Sequence, residues 1–180
     1  MIKSEKLIVV GKSGSGKDFL MRKLVEKGLK AGLKCTTRPI RKFETQGVDY
    51  NYMNNDKFLE LINENKMLVN QTFEVTPLDS EPQTWYYGLT IEEFNNSQVF
   101  IMTPKELTEL TEEQRKECFV VYLNIDRDIR EKRLYKREDK NDSIKRRLDS
   151  DDIDFNVNID YDLMINDHEF SVNDIYDLMN

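Results

Sequence analysis

Apolar residues in this chain come in short bunches separated by charged stretches, and the period within each bunch predicts its structure. Lys6–Val10 ("KLIVV") is a β-branched run ending in a glycine-rich turn, the pattern of a buried strand. From Lys17 to Lys27 the apolar positions Phe19, Leu20, Leu24 and Val25 recur at helical spacing, and Gly28 stops the helix. The polar stretch Cys35–Met53 holds a proline and a glycine and predicts short strands and surface loops. A short helix is expected over Asp56–Asn65, a strand over Lys66–Phe73, and a loop over Leu78–Gly88 that ends in aromatics. Ser97–Thr103 and Cys118–Asp126 read as central strands flanking a helical stretch around Lys105–Leu110. Asp126–Tyr135 and Ser143–Ser150 predict helices, Tyr161–Asn166 a last strand and Val172–Met179 a closing helix.

Strands alternating with helices imply an α/β fold with a parallel central sheet covered on both faces. The stretch from about Leu33 to Thr90 breaks that rhythm and reads as an insertion forming its own small lobe. At 180 residues the length suits one domain with a real core. No apolar run approaches the roughly 20 residues that cross a bilayer, so no membrane association is expected. The N-terminal apolar segment is too short for a signal peptide. Two distant cysteines and a single histidine exclude an ordinary zinc site and make a disulfide framework a poor fit, so a cytoplasmic location is expected.

The formal charge of −7 argues against a general nucleic-acid binder, but its distribution is uneven. Arg127–Arg147 holds ten Lys/Arg against five acids, whereas Asp149–Asn180 holds ten acids and no Lys or Arg. Anion binding is therefore expected to be local. A mixed-charge run of this kind also describes a solvated helix face.

Gly11–Lys17 ("GKSGSGK") matches the phosphate-loop pattern G-x-x-x-x-G-K. Its glycines let backbone N–H groups turn toward one anion, and the helix starting near Lys17 points its positive dipole end there. Gly11, Lys12, Ser13, Gly14, Ser15, Gly16 and Lys17 are the candidate ATP-phosphate site, with Lys17 reaching the β- and γ-phosphates. Asp18 stands where such loops carry a Ser or Thr that coordinates Mg²⁺. A carboxylate is also a hard oxygen ligand, so Asp18 is the candidate metal residue; it would equally serve as a favourable charge at a helix N-terminus.

"TTRPIRKFETQGVDY" (Thr36–Tyr50) resembles the signature of the guanylate kinase family, and the family's YYG follows at Tyr86, Tyr87 and Gly88. Arg130–Leu148 is similar to that family's arginine-rich lid, with Arg137 and Arg147 at its key positions, and Tyr161–Asp167 resembles its last strand, with Asn166 in the loop that contacts adenine. The resemblance implies a P-loop NTPase three-layer fold in one domain: core 1–32, 91–128 and 149–180, an NMP-binding lobe over 33–90, and a helical lid over 129–148. It implies ATP and a nucleoside monophosphate as partners, Mg²⁺ as cofactor, and a monomer or homodimer in nucleotide metabolism.

The residues make chemical sense of that role. Arg38 and Arg41 can clamp a dianionic phosphate with planar forks, and the resemblance adds the hydroxyls of Tyr50 and Tyr87. An ionised phosphate oxygen attacking the γ-phosphorus needs no strong base, which suits a chain with one histidine. Catalysis then rests on charge neutralisation and positioning by Lys17, Arg38, Arg137, Arg147 and the metal, with Arg133 adding to the ATP site. Three positions depart from the family pattern around the acceptor base. Lys34 replaces a serine, and Leu89 follows YYG with Thr90 one place later. The guanine-reading glutamate has two candidate matches, Glu74 and Gln71, with Glu74 taken as the contact. GMP or dGMP is the expected acceptor. Alternatives are a phosphosugar kinase, against which GVDY and YYG speak, and an inactive protein-binding module, against which the retained Gly16 and Lys17 speak.

Overall fold

Lys6–Gly11 forms the first strand (β1), and all six of its residues are buried, the outcome expected for a β-branched run inside a parallel sheet. The structure is a computed structural model that describes residues 4–42, 44–75, 81–136 and 144–179. After β1 comes helix α1 (Lys17–Glu26). Next are β2 (Cys35–Thr36), β3 (Asn51–Tyr52), α2 (Asn55–Asn63), β4 (Met67–Val75), β5 (Gln83–Thr90) and α3 (Ile91–Asn96). The chain continues through β6 (Val99–Ile101), α4 (Pro104–Thr108), α5 (Glu112–Lys116) and β7 (Cys118–Leu123). It closes with α6 (Arg127–Lys136), α7 (Ile144–Asp154), β8 (Leu163–Ile165) and α8 (Val172–Asp177).

These elements fall into two units, Met1–Ala31 with Gln98–Asn180, and Gly32–Ser97. In the first, four parallel strands lie in the order β6-β1-β7-β8. Leu7, Val9, Val121 and Leu123 from the sheet join Leu20 and Leu24 of α1 and Ile175 of α8 in its core. Of the stripe expected on α1 only Leu20 and Leu24 are buried; Phe19 and Val25 are 47% and 43% exposed. Because β1 is central, its C-terminal end delivers the glycine loop to the sheet's carboxyl edge, where open α/β sheets bind ligands.

The second unit is a mixed sheet in the order β3-β2-β5-β4, with β2 and β3 parallel and the other pairs antiparallel. Asn54 caps α2 by accepting from the Lys57 amide at 2.9 Å. That helix covers one sheet face, where the buried Phe58 ring stacks on Tyr86 at 5.4 Å. Gly88 permits the approach: a Cβ there would meet Phe58 at 3.0 Å and the Val69 carbonyl at 2.8 Å.

Several expectations need correction. Gln83–Gly88, expected in a loop, lies in β5, because Thr84–Tyr87 find partners on β4 and, at Tyr87, on β2. Ile91–Asn96 was expected to open the core's return, but it is a short helix of the second unit, capped by Thr90 and tied to it by the Leu33 amide donating to Glu93. The change of unit therefore falls after Ser97, seven residues later than the expected lobe boundary. Helix α5 was missed, although Thr111 and Gln114 form a capping box whose spacing is legible in sequence.

Candidate active site

The glycine loop takes the conformation its sequence requires. Gly14 (φ 77°) and Gly16 (φ 106°) occupy left-handed backbone that a side chain disfavours. At Gly14 a Cβ would also lie 2.7 Å from the Arg130 carbonyl, and at Gly11 one would lie 2.6 Å from Ser15 Oγ. Gly16 is the residue before α1 and provides no side-chain cap, so the first helical amides stay available to an anion. Lys17 Nζ donates to the carbonyls of Gly11 (2.6 Å) and Lys12 (3.1 Å), which brings its charge across the loop. Ser15 is wholly buried, and its hydroxyl has no hydrogen-bond partner among the described residues. Asp18 is exposed in the first turn of α1, where its charge complements the helix dipole.

The basic segment wraps this loop. Arg133 on α6 donates from Nη1 to the carbonyls of Gly14 (3.2 Å) and Ser15 (3.1 Å), and from Nη2 to His168 (3.2 Å). Together with Gly16, Phe19, His168 and Phe170 it lines a cavity of about 540 Å³ beside the loop, a volume suited to a small organic ligand. Exposed Phe19 thus lines this cavity rather than the core. Asn166, expected near adenine, is exposed past β8 and accepts from Asn124 Nδ2 at 2.8 Å. Arg147 is half-buried on α7, and Arg137 lies outside the described residues.

Sequence reasoning missed the acidic half of this cluster. Asp151 on α7 is buried and accepts from the Ser13 amide (2.8 Å), the Ser13 hydroxyl (3.1 Å) and Arg130 Nη1 (3.4 Å). Arg130, 3% exposed, also donates to the carbonyls of Ile125 (2.9 Å) and Ser13 (3.3 Å). Next to this pair, Asp152 takes Lys12 at 3.1 Å and Arg127 at close range. A run of acids after a run of bases therefore becomes an ion-pair network that pins the loop from α7.

In the second unit, the signature residues converge on Arg38. This arginine is 4% exposed and forms a two-pronged pair with Glu44, at 2.7 Å from Nη1 and 2.6 Å from Nη2. Its guanidinium lies 5.2 Å from the Tyr50 ring and 5.6 Å from that of Tyr52. Glu44 also accepts from the Tyr52 hydroxyl (2.6 Å) and the Arg41 amide (2.9 Å). Burial alone would raise the Glu44 carboxyl; the Arg38 fork, the Tyr52 hydroxyl and the Arg41 amide outweigh it and hold the group at about 2. Burial, and then the bond to Glu44, push the Tyr52 phenol upward. Arg41 and Tyr50 are half-buried beside this centre, and Tyr87 meets Tyr50 edge-on at 6.1 Å. Glu44 was missed as a partner, although it stands six residues after Arg38 within the motif itself.

Two of the expected acceptor contacts sit elsewhere. Glu74 pairs in register with Thr84 and accepts from its hydroxyl at 2.9 Å, on the face that Tyr86 shares and Tyr87 does not. Side chains alternate along a strand, so the odd offset of three from Gln71 puts Glu74 on the opposite side. Thr90 uses its hydroxyl to cap α3, accepting from the Glu93 amide at 3.1 Å.

A four-stranded parallel sheet that feeds a glycine loop into a helix, with a cationic wrap around the loop, defines a P-loop nucleotide-binding protein. A solved guanylate kinase from Anaplasma phagocytophilum shares this fold at a TM-score of 0.64 and 17% identity, over 97% of this chain and 82% of that one. A guanylate kinase of Legionella pneumophila (strain Lens) is 26% identical over 172 residues, 89% of this chain and 77% of its own length. One from Helicobacter hepaticus is 39% identical over 70 residues, 38% of this chain and 35% of its own. The family model for guanylate kinase matches residues 3–179, and the chain belongs to that family: it is a nucleoside monophosphate kinase.

Proposed function

We propose that this kinase transfers the γ-phosphoryl group of ATP to a guanine nucleoside monophosphate, GMP or dGMP, with Mg²⁺ on the donor. The loop Gly11–Lys17 takes the ATP phosphates, Lys17 swinging from its carbonyl contacts to the β- and γ-oxygens. Arg133 and the cavity beside Phe19 receive the adenosine end, with Asn166 near it. Arg38, Arg41, Tyr50 and Tyr87 hold the acceptor phosphate. Arg137 and Arg147 neutralise charge on the transferring group.

The observation that carries this reading is the Arg38 fork. A buried guanidinium already grips an oxyanion through two parallel bonds of 2.7 and 2.6 Å, in a motif whose arginines the family devotes to an acceptor phosphate. Carboxylate and phosphate offer the fork the same pair of oxygens. The acceptor oxygen is ionised before it attacks, so the residues need only position two anions in line and offset their repulsion.

Asp18 is proposed to hold Mg²⁺ directly or through water. Among the described residues no three His, Cys, Asp or Glu side chains converge. Phosphate oxygens and water would supply the ion's other ligands, the usual arrangement for Mg²⁺ with a nucleotide. Two free, buried cysteines support a cytoplasmic setting, and a chain carrying both anion centres can work as a monomer or homodimer.

The test is ADP release from ATP and Mg²⁺ across a panel of ribo- and deoxynucleoside monophosphates. Stimulation by GMP or dGMP is expected, with a loss of about 100-fold or more in Lys17→Ala and Arg38→Ala. Absence of stimulation by every monophosphate overturns the proposal.

A further inference from the structure

We propose that Gln71 reads the acceptor base, and that its amide makes the site indifferent to the 2-amino group of guanine. The proposal rests on the acceptor phosphate binding at Arg38, Arg41, Tyr50 and Tyr87. Cross-strand partners project from the same sheet face. Gln71 is paired with Tyr87, Tyr87 with Thr36, and Thr36 with Tyr52, so these four side chains form one row across β4, β5, β2 and β3. Arg38 and Glu44 lie at the Tyr52 end of that row, and Gln71 ends the other. Three strand spacings of about 4.8 Å separate the ends, a span that a mononucleotide bridges from its phosphate to the far edge of its base.

The surroundings of Gln71 suit a planar ring. Phe73, two residues on and therefore on the same face, is 40% exposed and meets Tyr87 edge-on at 5.5 Å. On the opposite face Phe58 packs against Tyr86 and Gly88, which closes it to a ligand. Glu74 projects from that opposite face and has no access to the row.

Residue chemistry then sets selectivity. A carboxylate offers two acceptors and pairs with two adjacent donors, N1–H and the 2-amino group of guanine. A glutamine amide presents one carbonyl acceptor beside one N–H donor along the edge it would turn to a base. It matches N1–H together with O6, a pair that guanine and hypoxanthine share, and the 2-amino group is left outside. GMP and IMP should therefore be comparable acceptors for this chain, and the same holds for their deoxy forms.

The experiment compares kcat/KM for GMP and IMP in the wild type, Gln71→Glu and Gln71→Ala, with equilibrium binding of both monophosphates measured calorimetrically. We expect the wild type to prefer GMP by less than about tenfold. Gln71→Glu should raise the GMP:IMP ratio by about tenfold or more, the scale of a charge-assisted hydrogen bond gained on the 2-amino group. Gln71→Ala should weaken both acceptors alike, and an unchanged KM for ATP confirms that the fold survives. A wild-type preference for GMP above tenfold, or a GMP:IMP ratio unmoved in Gln71→Glu, overturns the proposal. If no monophosphate supports turnover, the kinase reading fails, and the binding ratios still decide the role of Gln71.

Discussion

Replacing Glu44 by Gln removes one charge from the buried pair with Arg38 while keeping the side chain's shape. The folded carboxyl titrates at about 2 rather than its ordinary 4.5, a difference equivalent to roughly 3 kcal/mol of stability. Glu44's side chain is 16% exposed against 4% for Arg38, so water screens the pair somewhat, and we expect a cost of roughly 2–3 kcal/mol. The sign follows from the depressed value. The contribution is fully present above 4.5, where the unfolded carboxyl is ionised too, and it is lost as pH falls through the folded value near 2. Urea unfolding of both proteins at a series of pH values from neutral to about 3 tests this, with Trp85 as reporter. It is the chain's single tryptophan and lies on β5 in the same unit as Glu44. The stability gap should be widest near neutrality and shrink below pH 4.5. A gap under about 0.5 kcal/mol at neutral pH, or one that stays constant down to pH 3, would refute the reasoning.

Three further outcomes are expected. Gly14→Ala forces a left-handed φ of 77° and a Cβ 2.7 Å from the Arg130 carbonyl, so it should cost about 2 kcal/mol or more and weaken ATP binding, checked by denaturation and nucleotide titration. Asp151→Ala leaves Arg130 buried without its carboxylate and should cost about 3 kcal/mol; Asp151→Ala combined with Arg130→Met should recover much of that loss, a double-mutant cycle read by urea unfolding. Asp18→Ala should leave the thermal midpoint nearly unchanged and abolish Mg²⁺-dependent turnover, read from ADP release against Mg²⁺ concentration; near-normal activity would remove Asp18 from metal binding.

Much of the first unit was legible because its signals are local. The Lys6–Val10 run, the glycine spacing of Gly11–Lys17 and the apolar turns of α1 each describe a stretch whose conformation depends on its neighbours in sequence. Harder to read were features whose partners lie far along the chain. Gln83–Thr90 has the β-branched and aromatic content of a strand, but the turn residues before it mask that content until β2 and β4 supply hydrogen bonds on both sides. Arg130 and Asp151 each read as solvated charges within charged runs; they are buried only because α6 and α7 pack around the glycine loop. For the Arg38 motif the sequence indicated the fork but not its present occupant, Glu44.

The sequence by itself determined the conformation of the glycine loop, because a left-handed glycine turn before a helix is a local property of backbone sterics and dipoles. It also singled out Arg38 and Arg41, through a motif too dense in specific residues to be a chance loop. Only the tertiary structure separated Gln71 from Glu74. Strand register puts one on the tyrosine face and the other behind it, and register comes from pairing across the sheet, which the order of residues along one strand does not contain.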